Sequence, residues 1–206
     1  MTDRINLEEI NWPDNIQHRG VHPQKFALYV GIAVMSMSIA GLTSAYIVRK
    51  GAGNWVEFAM PDAFVISAAL ILLSSLTLHL AVKAFRKENI TAYRALLGLT
   101  VLLALSFAGS QWMGWQKLQE MGIYIAGNPS GSFVYVISFV HMAHLAVGLL
   151  FLIGTLVRAF VSFGNPAKVL IYNTHPDKRL RLELLAIYWH FVDLLWLYLL
   201  VFFLIS

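Results

Sequence analysis

The chain has 206 residues, 58% hydrophobic and 13% charged, with a formal net charge of +4 and a mean hydropathy of +0.66. Ordinary soluble domains carry roughly 45–50% apolar and about 25% charged residues. Half the usual charge cannot cover a globule of this size, so the surplus apolar surface must face lipid, which excludes a soluble enzyme, a disordered chain and a secreted scaffold.

With no cysteine there is no disulfide, thiolate metal site or cysteine nucleophile. The length suits one bundle. Residues 1–24 read as a polar cytoplasmic tail (Asp3, Arg4, Glu8, Glu9, Asp14, Arg19) without the apolar core of a signal peptide. Residues 25–206 read as a transmembrane domain whose apolar stretches are 25–48, 62–82, 94–113, 132–157 and 183–205. Each can cross a hydrocarbon core of about 30 Å as a helix. Barrel strands would be about 10 residues long and alternate in polarity, which these runs do not. The expected fold is therefore an all-α integral membrane protein, five transmembrane helices in one bundle. Breakers punctuate the joints at Gly51, Gly53, Pro61, Gly127, Pro129, Gly164 and Pro166.

Lys and Arg divide unequally between alternate ends of these spans. Arg4, Arg19, Lys25, Lys83, Arg86, Lys87, Arg94, Arg158, Lys168, Lys178, Arg179 and Arg181 fall on one side; only Arg49, Lys50 and Lys117 fall on the other. The positive-inside rule puts the N-terminus in the cytoplasm and the C-terminus outside. Basic loops against anionic headgroups explain the net charge, and no nucleic-acid partner is needed.

Ionisable groups at membrane depth are costly, by about 2.5–3.5 kcal/mol or more, and so mark sites. The candidates are His141 and His144 in the fourth span, and Glu183, His190 and Asp193 in the fifth. At 1.5 Å per residue, His141 lies about 14 Å and His144 about 18 Å from the outer edge; His190 lies about 10 Å and Asp193 about 15 Å from the inner one. This counting sets His144 level with His190 and His141 level with Asp193, a polar seam between two spans. Two readings stand for it. One is a histidine-ligated metal or haem site; the other is interhelical hydrogen bonding or lipid headgroup contact that fixes packing. The absence of cysteine and of a second Glu-x-x-His motif favours packing. His79 reads as structural at the inner interface, and His18, His22 and His175 as solvated. Trp55, Trp112, Trp115, Trp189 and Trp196 read as belt anchors or core. Small residues in the first span (Ser36, Ser38, Ala40, Gly41, Ser44, Ala45) allow close approach of a helix, from this chain or a partner.

The fifth span is specific. Glu183 followed, after six residues, by His190, then Phe191, Val192, Asp193 and Trp196, resembles the last helix of subunit III of the haem–copper terminal oxidases, including the Trp189 before the histidine. Gly131, Phe133, His141, His144 and Gly148 resemble the family's His-Gly-x-His segment, with Met142 and Ala143 in place of its usual pair. Ser74, Ser75 and Thr77 resemble its Ser-Ser-x-Thr segment. Gly98, Thr100, Phe107 and Gln111 resemble the helix ending Gln-x-x-Glu-aromatic, and Ala40, Gly41, Ala45 and Tyr46 its first retained helix. The resemblance covers about residues 22–206, with five spans where many members have seven.

The resemblance implies a non-catalytic subunit of a respiratory oxidase that reduces O2 to water and pumps protons. Haem and copper would sit in partner subunits, with subunit I as main contact, subunit II nearby and a larger respiratory supercomplex beyond. This chain would hold no metal and no catalytic residue. It would bind phospholipid, stabilise the catalytic subunit and support proton uptake, in a bacterial inner membrane. His141, His144, Glu183, His190 and Asp193 would lock helices and order lipid, with Trp189 and Trp196 as packing residues. The alternatives are an accessory subunit of a nitric oxide reductase and a free-standing histidine-ligated membrane metal or haem protein. A small transporter would need a broken helix or paired repeats, and neither is visible. Two family carboxylates are absent, Met35 and Gly114 standing in their places.

Overall fold

The computed structural model describes residues 23–162 and 176–206; the tail charges, His18, His22, Lys168 and His175 lie outside the described residues. Five helices, α1 (Pro23–Gly51), α2 (Asp62–Arg86), α3 (Ile90–Glu120), α4 (Pro129–Ser162) and α5 (Pro176–Ile205), are each long and apolar enough to cross a membrane. Each contains its expected span and runs past it at one or both ends. Hydrocarbon thickness sets only a minimum length, and a helix with satisfied backbone bonds continues until a breaker stops it. Thus α3 passes through Gly114 and ends at Glu120, before Gly122 turns the chain with φ 79°.

Short joints make neighbours antiparallel. Between α2 and α3, Glu88 takes a left-handed φ of 59° and the Asn89 side chain accepts from the Ala92 N–H at 3.1 Å, capping α3. Between α3 and α4, Tyr135 Oη donates to the carbonyls of Ile123 (3.0 Å) and Trp115 (3.2 Å), pinning the loop to both helices.

α2, α3, α4 and α5 close into a ring in which each helix touches its two neighbours; α1 stands outside it and touches only α4 and α5. Ile71, Leu78, Leu97, Phe107, Ile137 and Trp189 fill the centre of the ring, while Leu102, Leu150, Phe151 and Leu194 point outward. Apolar residues thus lie on both faces of the helices, as lipid requires. Lipid tails are as apolar as leucine, so association depends on close packing and hydrogen bonds rather than on hydrophobic exclusion.

α1 leans on the ring with its second half only. Met35, Ile39, Thr43 and Tyr46 are buried, and none of residues 23–34 is. Tyr46 meets Trp55, Phe202 and Phe133 at ring separations of 4.6, 5.0 and 5.9 Å, and Thr43 Oγ1 hydrogen-bonds Tyr198 Oη at 3.3 Å. Ser38, Gly41, Ser44 and Ala45 face away from the ring, and a Cβ on Gly41 would meet nothing within 4 Å. No close internal helix contact uses that small face.

Candidate functional site

Polar side chains line the contact between α2 and α5. Trp189 Nε1 donates to Ser74 Oγ at 2.9 Å, and Trp196 Nε1 donates to Ser67 Oγ at 3.0 Å. Ser67 and Ser74, seven residues apart, share a face of α2, as Trp189 and Trp196 do on α5. Both indoles are fully buried. Gln111 of α3 joins the upper rung through Nε2 to Ser67 Oγ at 2.8 Å, and Ser75 Oγ hydrogen-bonds His190 Nδ1 at 2.6 Å. Asp193, also buried, faces Ser75, but neither of its oxygens reaches hydrogen-bond geometry with a protein group. Indole and imidazole need partners inside hydrocarbon, and serine supplies one without holding the helices apart.

The seam expected between α4 and α5 differs from this. His190 turns to Ser75 of α2, not to His144. His144 Nδ1 instead meets the Val140 carbonyl of its own helix at 2.8 Å, while its backbone carbonyl accepts from Tyr188 Oη at 2.8 Å. His141, 1% exposed, packs its ring 5.1 Å from Trp196 and 6.0 Å from Phe107, and neither nitrogen has a hydrogen-bond partner. The reason is register. Gly148 lets α5 come so close that a Cβ there would meet Tyr188 at 2.8 Å and Trp189 at 3.2 Å. With Gly148 opposite Trp189 and His141 opposite Trp196, Asp193 stands level with His144, about one helical turn from the position given by counting depths.

Glu183 sits at the basic end of the bundle. Its Oε1 accepts from Arg86 Nη2 of α2 and Arg179 Nε of its own helix, each at 3.3 Å. His79, expected to be merely structural, faces His190 across a groove between α2 and α5, with ring centroids 6.4 Å apart. Trp112 is exposed at the opposite end, and Trp115 donates to Ser138 Oγ at 3.0 Å. Among the described residues no three His, Asp or Glu side chains converge as metal ligands. Ser67, Tyr188 and Arg86 were not singled out from the sequence as site residues. The heptad spacing of Ser67 from Ser74 was the available signal for the first.

Of the two positions where the resemblance implies a carboxylate, Gly114 packs on Phe64, whose ring lies 2.9 Å from where a Cβ would be, and Met35 is buried.

Coupling between Ser75 and His190 is measurable. A double-mutant cycle with Ser75→Ala and His190→Phe, read by unfolding in mixed detergent micelles, should give about 0.6 kcal/mol and at most about 1.7 kcal/mol. Strict additivity would mean that the pair does not join α2 to α5.

These features define a polytopic helical membrane protein in which Ser67, Ser74, Ser75, Gln111, Trp189, His190 and Trp196 join helices at depth, while His141 and Asp193 are buried without a hydrogen-bond partner. Sequence comparison gives the family. The family model described as cytochrome c oxidase subunit III matches residues 56–205. Cytochrome c oxidase subunit 3 of Corynebacterium diphtheriae is 30% identical over 169 residues, covering 78% of this chain and 77% of that one. The Thermostichus vulcanus protein of the same name is 26% identical over 191 residues, covering 88% of each chain; that of Bacillus subtilis is 28% identical over 176 residues, covering 84% of this chain and 80% of its own. The chain belongs to the cytochrome c oxidase subunit III family, and so is a subunit III of a respiratory haem–copper oxidase, one part of a multi-subunit oxidoreductase complex.

Proposed function

We propose that this chain is a non-catalytic scaffold that holds the oxidase's catalytic subunit in working form and orders lipid around it. The observation that carries this reading is the indole–serine ladder of Trp189–Ser74 and Trp196–Ser67, with Ser75–His190 beside it. Trp189, His190 and Trp196 of the fifth helix bond to α2, and His141 is packed between aromatic rings. That leaves the imidazoles poor candidates for haem ligands, and haem and copper belong to subunits I and II. Subunit I is the main contact, with the outward small face of α1 a suitable surface for it. A larger respiratory assembly would surround this core. The membrane is the bacterial inner membrane, with the N-terminus and the basic ends of the helices in the cytoplasm. The oxidase reduces O2 to water and pumps protons, and the chain supports proton uptake without itself carrying electrons.

Affinity purification of the tagged chain from its native membrane tests this. The expected result is co-purification with a larger haem-bearing subunit, no haem spectrum from this chain alone, and an oxidase that loses activity faster during turnover when the chain is deleted. Stoichiometric haem or transition metal on the isolated chain would overturn the reading in favour of a histidine-ligated redox protein. A partner complex that reduces nitric oxide and not O2 would overturn the oxidase assignment.

A further inference from the structure

A line of polar side chains leads from the basic end of the bundle to a buried acid. Asp193 is 3% exposed, and neither of its carboxyl oxygens has a hydrogen-bond partner. It faces Ser75 of α2, whose Oγ lies 2.6 Å from His190 Nδ1. With Nδ1 engaged there, the other nitrogen of His190 is left for the groove between α2 and α5. That groove encloses about 520 Å3, and His79 stands across it with its ring 6.4 Å from that of His190. Two helix faces make the line. Ser75 and His79 are four residues apart on α2, and Asp193 and His190 three apart on α5. His79 is exposed, Ser75 and His190 are partly buried, and Asp193 is buried, so the line runs from the surface inward.

Charge decides what the acid takes up. α1 carries no titratable side chain between Tyr29 and Tyr46, α2 none between Asp62 and His79, and α3 none between Arg94 and Lys117. On α4 only His141 and His144 lie between Tyr135 and Arg158. His144 Nδ1 meets the Val140 carbonyl, and His141 is packed against Trp196 and Phe107. The charged groups around the groove are Lys83, Arg86 and Glu183, the last paired with Arg86 and Arg179. None of them is a partner of Asp193. A carboxylate without a cation or donor is costly inside hydrocarbon, and the neutral acid far less so. The ligand that suits this site is therefore a proton, and imidazole is the side chain best fitted to carry one toward it.

We propose that Asp193 is a reversible proton store, filled from the basic end of the bundle through His79, His190 and Ser75. His79 takes a proton from water at the mouth of the groove and passes one to the free nitrogen of His190. His190 Nδ1 gives its proton to Ser75 Oγ, whose own hydroxyl proton goes to a carboxylate oxygen of Asp193. At each step one N–H or O–H bond breaks and one forms, and the arriving positive charge is cancelled by the carboxylate. Release follows the same line outward. The proposal rests on the reading of the chain as one that supports proton uptake, and it gives that role a residue and a route.

The test is infrared difference spectroscopy of the whole oxidase complex during exchange from H2O to D2O. The C=O stretch of a protonated carboxyl shifts on deuteration, and the part of that signal lost in Asp193→Asn reports this acid. The wild-type complex should show the band and exchange it readily. Ser75→Ala should slow the exchange at least about tenfold, since a positioned proton carrier is worth that much or more. Ser75→Thr, which keeps the hydroxyl, should restore the wild-type rate, a pair of results that altered packing alone would not give. His79→Gln should slow exchange about threefold or more, a smaller loss because water in the groove can reach His190 directly. His79 is exposed, so this variant serves if Ser75→Ala does not assemble. Absence of the band from the wild-type complex would mean an ionised Asp193 and overturn the store. Wild-type exchange in an assembled Ser75→Ala complex, or in His79→Gln where the former does not assemble, overturns the route and leaves the scaffold reading intact. Proton uptake by the complex that is unchanged when the chain is deleted would instead overturn the reading on which the proposal rests.

Discussion

Replacing Trp196 with alanine should destabilise the helical ring by about 3–5 kcal/mol, the range for truncating a fully buried tryptophan. The indole packs against His141 at 5.1 Å, Phe107 at 5.5 Å and Phe64 at 5.9 Å, so it touches residues of α2, α3 and α4 at once. Its Nε1–H also satisfies Ser67 Oγ, to which Gln111 is bonded. Deletion therefore opens a cavity where all four ring helices meet and removes one bond from a buried network. Trp196→Phe keeps much of the packing and loses the bond, and should fall well short of the alanine variant. Unfolding in mixed detergent micelles, or the Tm of the purified complex, measures both. A cost below about 1 kcal/mol for the alanine variant would mean that the ring is held elsewhere.

Placing a carboxylate at position 114 with Gly114→Glu should be the other severe change. The new Cβ would lie 2.9 Å from Cε2 and Cζ of Phe64. Phe64 cannot move aside freely, being 1% exposed and packed on Trp196. Overpacking of this kind costs about 1–3 kcal/mol, and a carboxylate inside the bundle adds a burial penalty of its own. Phe64→Ala in the same chain should recover the steric part and leave the charge part, so the double variant should be less damaged than the sum of the two single ones. Unfolding midpoints of the three variants decide it. If Gly114→Glu alone were neutral, Phe64 would not be what excludes a side chain from this position. Read this way, Gly114 is one half of a packing pair whose other half is fifty residues earlier in the chain.

The same distinction runs through the whole molecule. Helix number and approximate extent followed from composition and continuity, because any backbone in hydrocarbon must satisfy its own polar groups and about 20 apolar residues are needed to cross. The residues worth watching in α5 were also visible, because polar side chains in an apolar run stand out whatever they touch. What they touch was not. Depth counted from the edges of apolar runs paired His190 with His144, while the folded chain pairs it with Ser75 of α2. Helix ends fix register only to within a turn or more; the close approach at Gly148 and the seating of two indoles on two serines fix it to a residue.

Glu183 illustrates the limit from the other side. In the sequence it opens an apolar span and looks like an acid at depth; in the fold Arg86 arrives from α2 and makes it part of a basic end. The small residues of α1 gave no direction, since a small face suits an internal or an external helix equally, and only the docking of Met35, Ile39, Thr43 and Tyr46 on the ring turned that face outward. By itself, then, the amino-acid order determined a five-span membrane bundle with its polar residues concentrated in particular helices, because those properties are local. Tertiary structure decided which helices close the ring, which polar atoms meet and where a charged groove opens, because these depend on side-chain shapes brought together from distant parts of the chain.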